Sequence, residues 1–71
     1  MKKEELLLVI GGKIKELREE KNISLQELCY LCDFEKPNLV RIEKGRTNPT
    51  VWTLYKICLA LKIELKEILE I

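Results

Sequence analysis

An all-α fold of five helices in a single domain spanning residues 1–71 follows from three observations. Apolar residues recur at three- and four-residue intervals through most of the chain, the spacing that lines one face of an α-helix. Helix-capping residues stand at the starts of those runs. No segment shows the period-two alternation of a strand, and there is no internal repeat or low-complexity tract. The composition agrees: 46% hydrophobic and 35% charged residues, with two prolines and three glycines to interrupt them, describe a helix-rich globule.

The first helix is read over Glu4–Lys21, where Leu7, Ile10, Ile14 and Leu17 form the inward stripe. Gly11-Gly12 weakens it by about 2 kcal/mol of helix propensity, which leaves the residues before Gly11 open to a separate turn. Asn22 is the stop. The second helix starts at Ser24, because Ser24 with Glu27 three residues later makes a capping box in which each side chain satisfies a backbone N–H that the first turn leaves orphaned. Leu25, Leu28, Cys29 and Cys32 carry its apolar face. Asp33 falls where the chain must turn sharply, and Asp is among the few non-glycine residues that tolerate a left-handed backbone.

A third helix has to begin within a few residues. Pro37 suits its first turn, since the missing N–H there would have had no helical partner. Leu39 and Ile42 then face inward, Lys36, Asn38 and Arg41 project outward, and Gly45 closes the helix. Arg46-Thr47-Asn48-Pro49 is a loop, and Thr50 caps the fourth helix. The inward stripe of that helix is Leu54, Ile57, Cys58 and Leu61, with Trp52 and Tyr55 expected to pack at its edges. A short fifth helix over about Leu65–Leu69 carries Leu65, Ile68 and Leu69.

Charge and cysteine usage narrow the function. A net charge of +1 is not the strongly basic footprint of many nucleic-acid binders. Its distribution is more telling: Lys36, Arg41, Lys44 and Arg46 face only Glu43 between positions 36 and 46, whereas Glu64, Glu67 and Glu70 outnumber Lys62 and Lys66. The positive pole coincides with the third helix. Three cysteines, an odd number, argue against a disulfide framework. Cys29 and Cys32 form a CxxC, but with no histidine and only Cys58 besides, zinc would find at most three thiolates, so small buried helix residues are the expected role. No apolar run approaches the ~20 residues of a membrane span, and Leu6–Ile10 lacks a signal-peptide pattern, so a cytoplasmic location is expected. Without histidine or a glycine-rich phosphate cradle, and with its one serine explained by capping, the chain offers no catalytic constellation and calls for no cofactor.

The order of these pieces resembles the Cro/C1-type helix-turn-helix family, also called the XRE family of phage and bacterial repressors. Gly12-Lys13-Ile14-Lys15-Glu16-Leu17-Arg18 looks like its first helix and Ser24 to Leu28 its second. Ile42-Glu43-Lys44-Gly45, then Pro49, Thr53 and Leu54, are similar to its third helix, loop and fourth helix. The resemblance covers nearly the whole chain and implies a lambda-repressor-like fold. It also implies an ion pair between Arg18 and Glu43 that sets the angle of the third helix; the plainer alternative is two exposed charges worth under ~1 kcal/mol.

Base contacts, by the same resemblance, fall on Lys36, Pro37, Asn38 and Arg41. Arg41 can grip guanine O6 and N7 with two parallel bonds, Lys36 can reach the same acceptors or a phosphate, and Asn38 can pair with adenine. Pro37 offers only apolar contact. Where many relatives place a phosphate-binding glutamine after the capping serine, this chain has Leu25, which shifts that contact to Gln26 or removes it. Lys44, Arg46, Thr47 and Asn48 are the other phosphate candidates. Asp33 and Glu35 also depart from the family's usual glycine and its usual serine or threonine.

The function implied is a sequence-specific regulator of transcription, a repressor or controller protein, reading a palindromic operator on double-stranded DNA as a homodimer through the major groove. Leu65, Ile68, Leu69 and Ile71 are the expected dimer interface, with Leu6–Ile10 either joining them or completing the core. No small-molecule effector domain is expected. The alternative is a protein-interaction module such as an antitoxin, favoured by Leu25, Glu35 and the near-neutral charge.

Overall fold

In the computed structural model, which describes residues 1–71, five helices follow one another without a strand: α1 (Lys3–Glu20), α2 (Leu25–Cys32), α3 (Lys36–Glu43), α4 (Val51–Leu61) and α5 (Leu65–Ile68). α1 packs on α3, α2 lies between α3 and α4, and the single turn of α5 closes the bundle against α1 and α4. Between them Ile14, Leu28, Leu39, Ile57, Leu61 and Ile68 are sealed from solvent. No helix is long and apolar enough to cross a membrane.

α1 is continuous through Gly11-Gly12, so residues before Gly11 form no separate turn. The reason is packing. A Cβ on Gly11 would stand 2.3 Å from the Ile42 carbonyl oxygen and 2.6 Å from that of Glu43, so glycine is what lets α1 cross the end of α3 at backbone contact. Gly45 meets the same crossing from the other side: its φ is +69°, and a Cβ there would stand 2.8 Å from the Leu8 Cα. Burial at this crossing outweighs the propensity cost of the two glycines.

Four helices end the same way. Asn22, Asp33, Gly45 and Lys62 each adopt a left-handed backbone. The amide after each reaches back to the last turn: Ile23 to the Arg18 carbonyl at 3.1 Å, Phe34 to Cys29 at 2.9 Å, Arg46 to Arg41 at 2.9 Å and Ile63 to Cys58 at 3.0 Å. This closure satisfies carbonyls that a helix end otherwise strands. At the starts, the Ser24 hydroxyl accepts from the Glu27 amide at 3.0 Å while the Glu27 carboxylate accepts from the Ser24 amide at 3.1 Å. Thr50 Oγ1 likewise accepts from the Thr53 amide at 3.1 Å.

Two expectations need correction. Ile68, assigned above to a dimer interface, is fully buried in its own domain, and Leu65 is half-buried against the same core. So few residues form this core that α5 must spend its apolar face on it, leaving only Leu69 and Ile71 exposed. Trp52 does not pack at an edge of the core either. It lies 65% exposed with Tyr55 at 44%, because helical rotation carries them away from the Leu54, Ile57 and Leu61 stripe.

The three cysteines are free and buried. Burial pushes the Cys32 thiol up to about 11, and those of Cys29 and Cys58 also upward, so none is a ready thiolate near neutral pH.

Candidate nucleic-acid interface

The candidate interface is assembled by the α2–α3 turn. Asp33, at φ 57° and ψ 44°, reverses the chain after α2, and Phe34 tucks half-buried against the core with Lys56 Nζ 4.8 Å from its ring centre. Glu35 caps α3 through its backbone alone, with Pro37 in the first turn. Leu39 and Ile42 anchor the helix in the core. Lys36, Pro37, Asn38 and Arg41 are consequently exposed together. Arg41 Nη2 donates to Asn38 Oδ1, three residues earlier on the same face. Those two side chains also line a cleft with Phe34, Ile42, Thr47 and Thr53, which brings the loop and the start of α4 beside the outer face of α3.

The angle of α3 is fixed from behind. Arg18 Nε donates to Glu43 Oε2 at 2.8 Å and Nη2 to Oε1 at 3.1 Å, a two-bond grip on one carboxylate. Its Nη1 donates to the Ile23 carbonyl at 2.9 Å, so one guanidinium ties the end of α1, the link to α2 and the end of α3. Both side chains are nearly closed off, at 10% and 7% exposure. The bond to Glu43 holds the Arg18 guanidinium above its usual pKa, against the opposing effect of burial.

This clamp changes the electrostatics of the outer surface. Glu43 is the sole acid between Lys36 and Arg46, and its charge is spent on Arg18. Lys36, Arg41, Lys44 and Arg46 are all exposed around α3 and its end without a salt-bridge partner. Gln26 and Asn48 are exposed as well, while Thr47 is half-buried in the cleft beside Arg41. Leu25 is half-buried against the core, which explains its apolar character without a binding role.

Lys15 was missed from sequence. It lines a cleft with Lys44, Leu25 and Val40 directly over the Arg18–Glu43 pair, adding a cation from α1 to those of α3. The available signal was its place three residues before Arg18, on the same side of α1.

Comparisons with known proteins agree with this geometry. The chain is 36% identical over 55 residues to y4dJ, an uncharacterised helix-turn-helix transcriptional regulator of Sinorhizobium fredii, a match covering 78% of this chain and 71% of that one. The crystal structure of the restriction–modification controller protein C.AhdI from Aeromonas hydrophila superposes with a TM-score of 0.84 at 29% identity, covering 87% of this chain and 94% of that one. A further controller protein, solved as a tetramer in complex with its natural 35-base-pair operator, superposes with a TM-score of 0.78 at 27% identity over 92% of this chain and 96% of that one. Residues 13–71 match the description of the Cro/C1-type helix-turn-helix DNA-binding domain, and the chain belongs to that family.

Proposed function

We propose that this chain is a transcription regulator, a repressor or controller protein, that reads a palindromic operator as a homodimer, with α3 in the major groove. The observation that carries the reading is the outer face of α3: Lys36, Asn38 and Arg41 stand exposed beside Lys44 and Arg46, and Glu43, the one acid between positions 36 and 46, is neutralised from behind, which leaves the exposed Glu35 at the N-cap of α3 as the unpaired acid of this face. Arg41 is the guanine reader, Lys36 and Asn38 the flanking base contacts, and Pro37 an apolar neighbour. Gln26, Lys44, Arg46, Thr47 and Asn48 hold phosphates, joined by Lys15 across the cleft it shares with Lys44.

Size supports two copies. Half-sites one helical turn apart lie ~34 Å from centre to centre, and the longest dimension of the domain is 31 Å, so neighbouring copies can each reach one half-site while touching. The controller proteins it resembles, one of them bound to an operator as a tetramer, favour the same reading. The rival reading, a protein-interaction module, loses part of its basis because Leu25 packs against the core rather than facing a partner.

The test is a comparison of three variants on a cognate duplex and a scrambled one. Arg41→Ala is expected to lose about 10- to 100-fold in affinity per half-site on the cognate duplex and to relax preference at one base pair in each half-site. Lys44→Ala and Arg46→Ala should weaken binding to both duplexes alike and make the salt dependence of the dimer shallower by about two charges each, one from each protomer. Equal loss of preference from all three would overturn this division of labour.

A further inference from the structure

α4 is apolar almost all the way round: between Val51 and Leu61 only Thr53 and Lys56 are polar. Its inner stripe is buried in the core, yet Val51, Trp52, Tyr55 and Leu59 remain 69%, 65%, 44% and 58% exposed. A helix of that composition is normally covered on every side, and nothing in the chain covers this one. The exposed residues are also contiguous. The Trp52 and Tyr55 rings lie 6.1 Å apart, Leu59 follows Tyr55 by one helical turn, and Leu59 shares a shallow groove with the exposed Leu31 of α2.

We infer that this outer face of α4, built from Trp52, Tyr55 and Leu59 with Val51 and Leu31 at its margins, is the surface through which two copies of the chain join. The inference rests on the dimeric reading proposed above and places the seam on α4 instead of α5. Two physical arguments select a second copy as the occupant. The first is area: taking ~150–250 Å² for a fully exposed aromatic side chain, the band offers on the order of 600 Å² of apolar surface. That is most of the ~800 Å² per partner in a standard interface, and large for a patch that a monomer leaves in water.

The second argument is charge. No ionic side chain stands on the Trp52–Tyr55–Leu59 line itself: Lys56 reaches over the Phe34 ring and, with Lys62, lines the groove between Leu59 and Leu31 at the margin of the band. A two-fold axis that lays this line antiparallel against itself therefore creates no like-charge contact at its centre. Lys62, the C-cap of α4, then lies just past the opposite end of the second helix, about 20 Å along the axis from its own equivalent at 1.5 Å per residue. The placement also serves the DNA surface, since Thr53 at the start of α4 lines the cleft that holds Asn38 and Arg41. A seam on α4 thus sets the position of each α3 relative to the other.

Sedimentation of the full chain without DNA tests this independently of any operator. The wild type is expected to dimerise, and Trp52→Glu and Leu59→Glu each to raise the dissociation constant by at least about 30-fold, whereas Ile71→Glu on the tail beyond α5 leaves it unchanged. Circular dichroism checks that the α4 variants keep their helices; should either lose them, Trp52→Ser and Leu59→Ser take their place under the same expectation. Trp52 is also the one tryptophan of the chain, so wild-type emission should shift to the blue as concentration rises through dimerisation. A wild type that stays monomeric, α4 variants that stay dimeric, or an Ile71→Glu variant that alone dissociates would each overturn the seam. A monomeric wild type would remove the homodimer of the functional reading as well, whereas dimeric α4 variants or a dissociating Ile71→Glu variant would remove the seam alone; whether α3 contacts DNA is tested separately by duplex binding.

Discussion

A single guanidinium does much of the positioning in this domain. Arg18 donates to both oxygens of Glu43 and to the Ile23 carbonyl, nearly out of contact with water. Breaking a buried pair leaves one charge desolvated and unanswered, which costs more than the pair itself contributes. Glu43→Gln is therefore expected to destabilise the fold by about 3–5 kcal/mol, a large share of what a chain of this size has in total. The paired replacement Arg18→Met with Glu43→Leu should recover most of that loss in a urea melt. A double variant as unstable as the single one would show that the ion pair is not the source of the effect. Because the same clamp neutralises the one acid among four cations, residue-level stability and the electrostatics of the outer surface have one cause.

At the scale of elements, helix ends decide the architecture. Four of them close through a left-handed residue, and at Lys62 that residue is a lysine with φ of 57°. A side chain with a Cβ is strained there, whereas glycine is not. Lys62→Gly should stabilise the domain by about 0.5–1 kcal/mol, raising the thermal midpoint by about 3–6 °C without altering duplex binding in dilute solution. A lower midpoint would contradict the strain argument.

The same elements mark how far the sequence could be read. Ser24, Glu27, Asp33 and Thr50 declare their roles through local chemistry, and their caps and turns can be placed before any coordinates. Gly11 could not be read locally, since its reason for being glycine is the carbonyl oxygens of Ile42 and Glu43, more than thirty residues away. Ile68 and Trp52 were misjudged for a related reason: periodicity says that a side chain is apolar, not whether a core this small has room for it. Lys15 escaped because its proximity to Lys44 depends on how α1 crosses α3. Lys36, Asn38 and Arg41 were legible as an outward face because Leu39 and Ile42 fix the rotation of the helix between them.

For the whole molecule, the proposed function requires two such faces presented together. A near-neutral chain can still be drawn to a polyanion when its cations lie on one side, and here the acids of the C-terminal segment are kept away from α3 in sequence while Glu43 is silenced in place. If each dimer contacts about six phosphates, affinity should fall with salt at a log–log slope near −5, which sets the ionic strength at which specificity is best measured. In the proposed complex α3 reads base edges from a two-fold assembly. Selection of bound duplexes from a random pool at about 0.15 M salt tests it most directly. Enrichment of a palindrome whose half-sites are centred about one helical turn, or a multiple of it, apart is the expected result. Recovery of unrelated sequences, or of a single unpaired half-site, would contradict it.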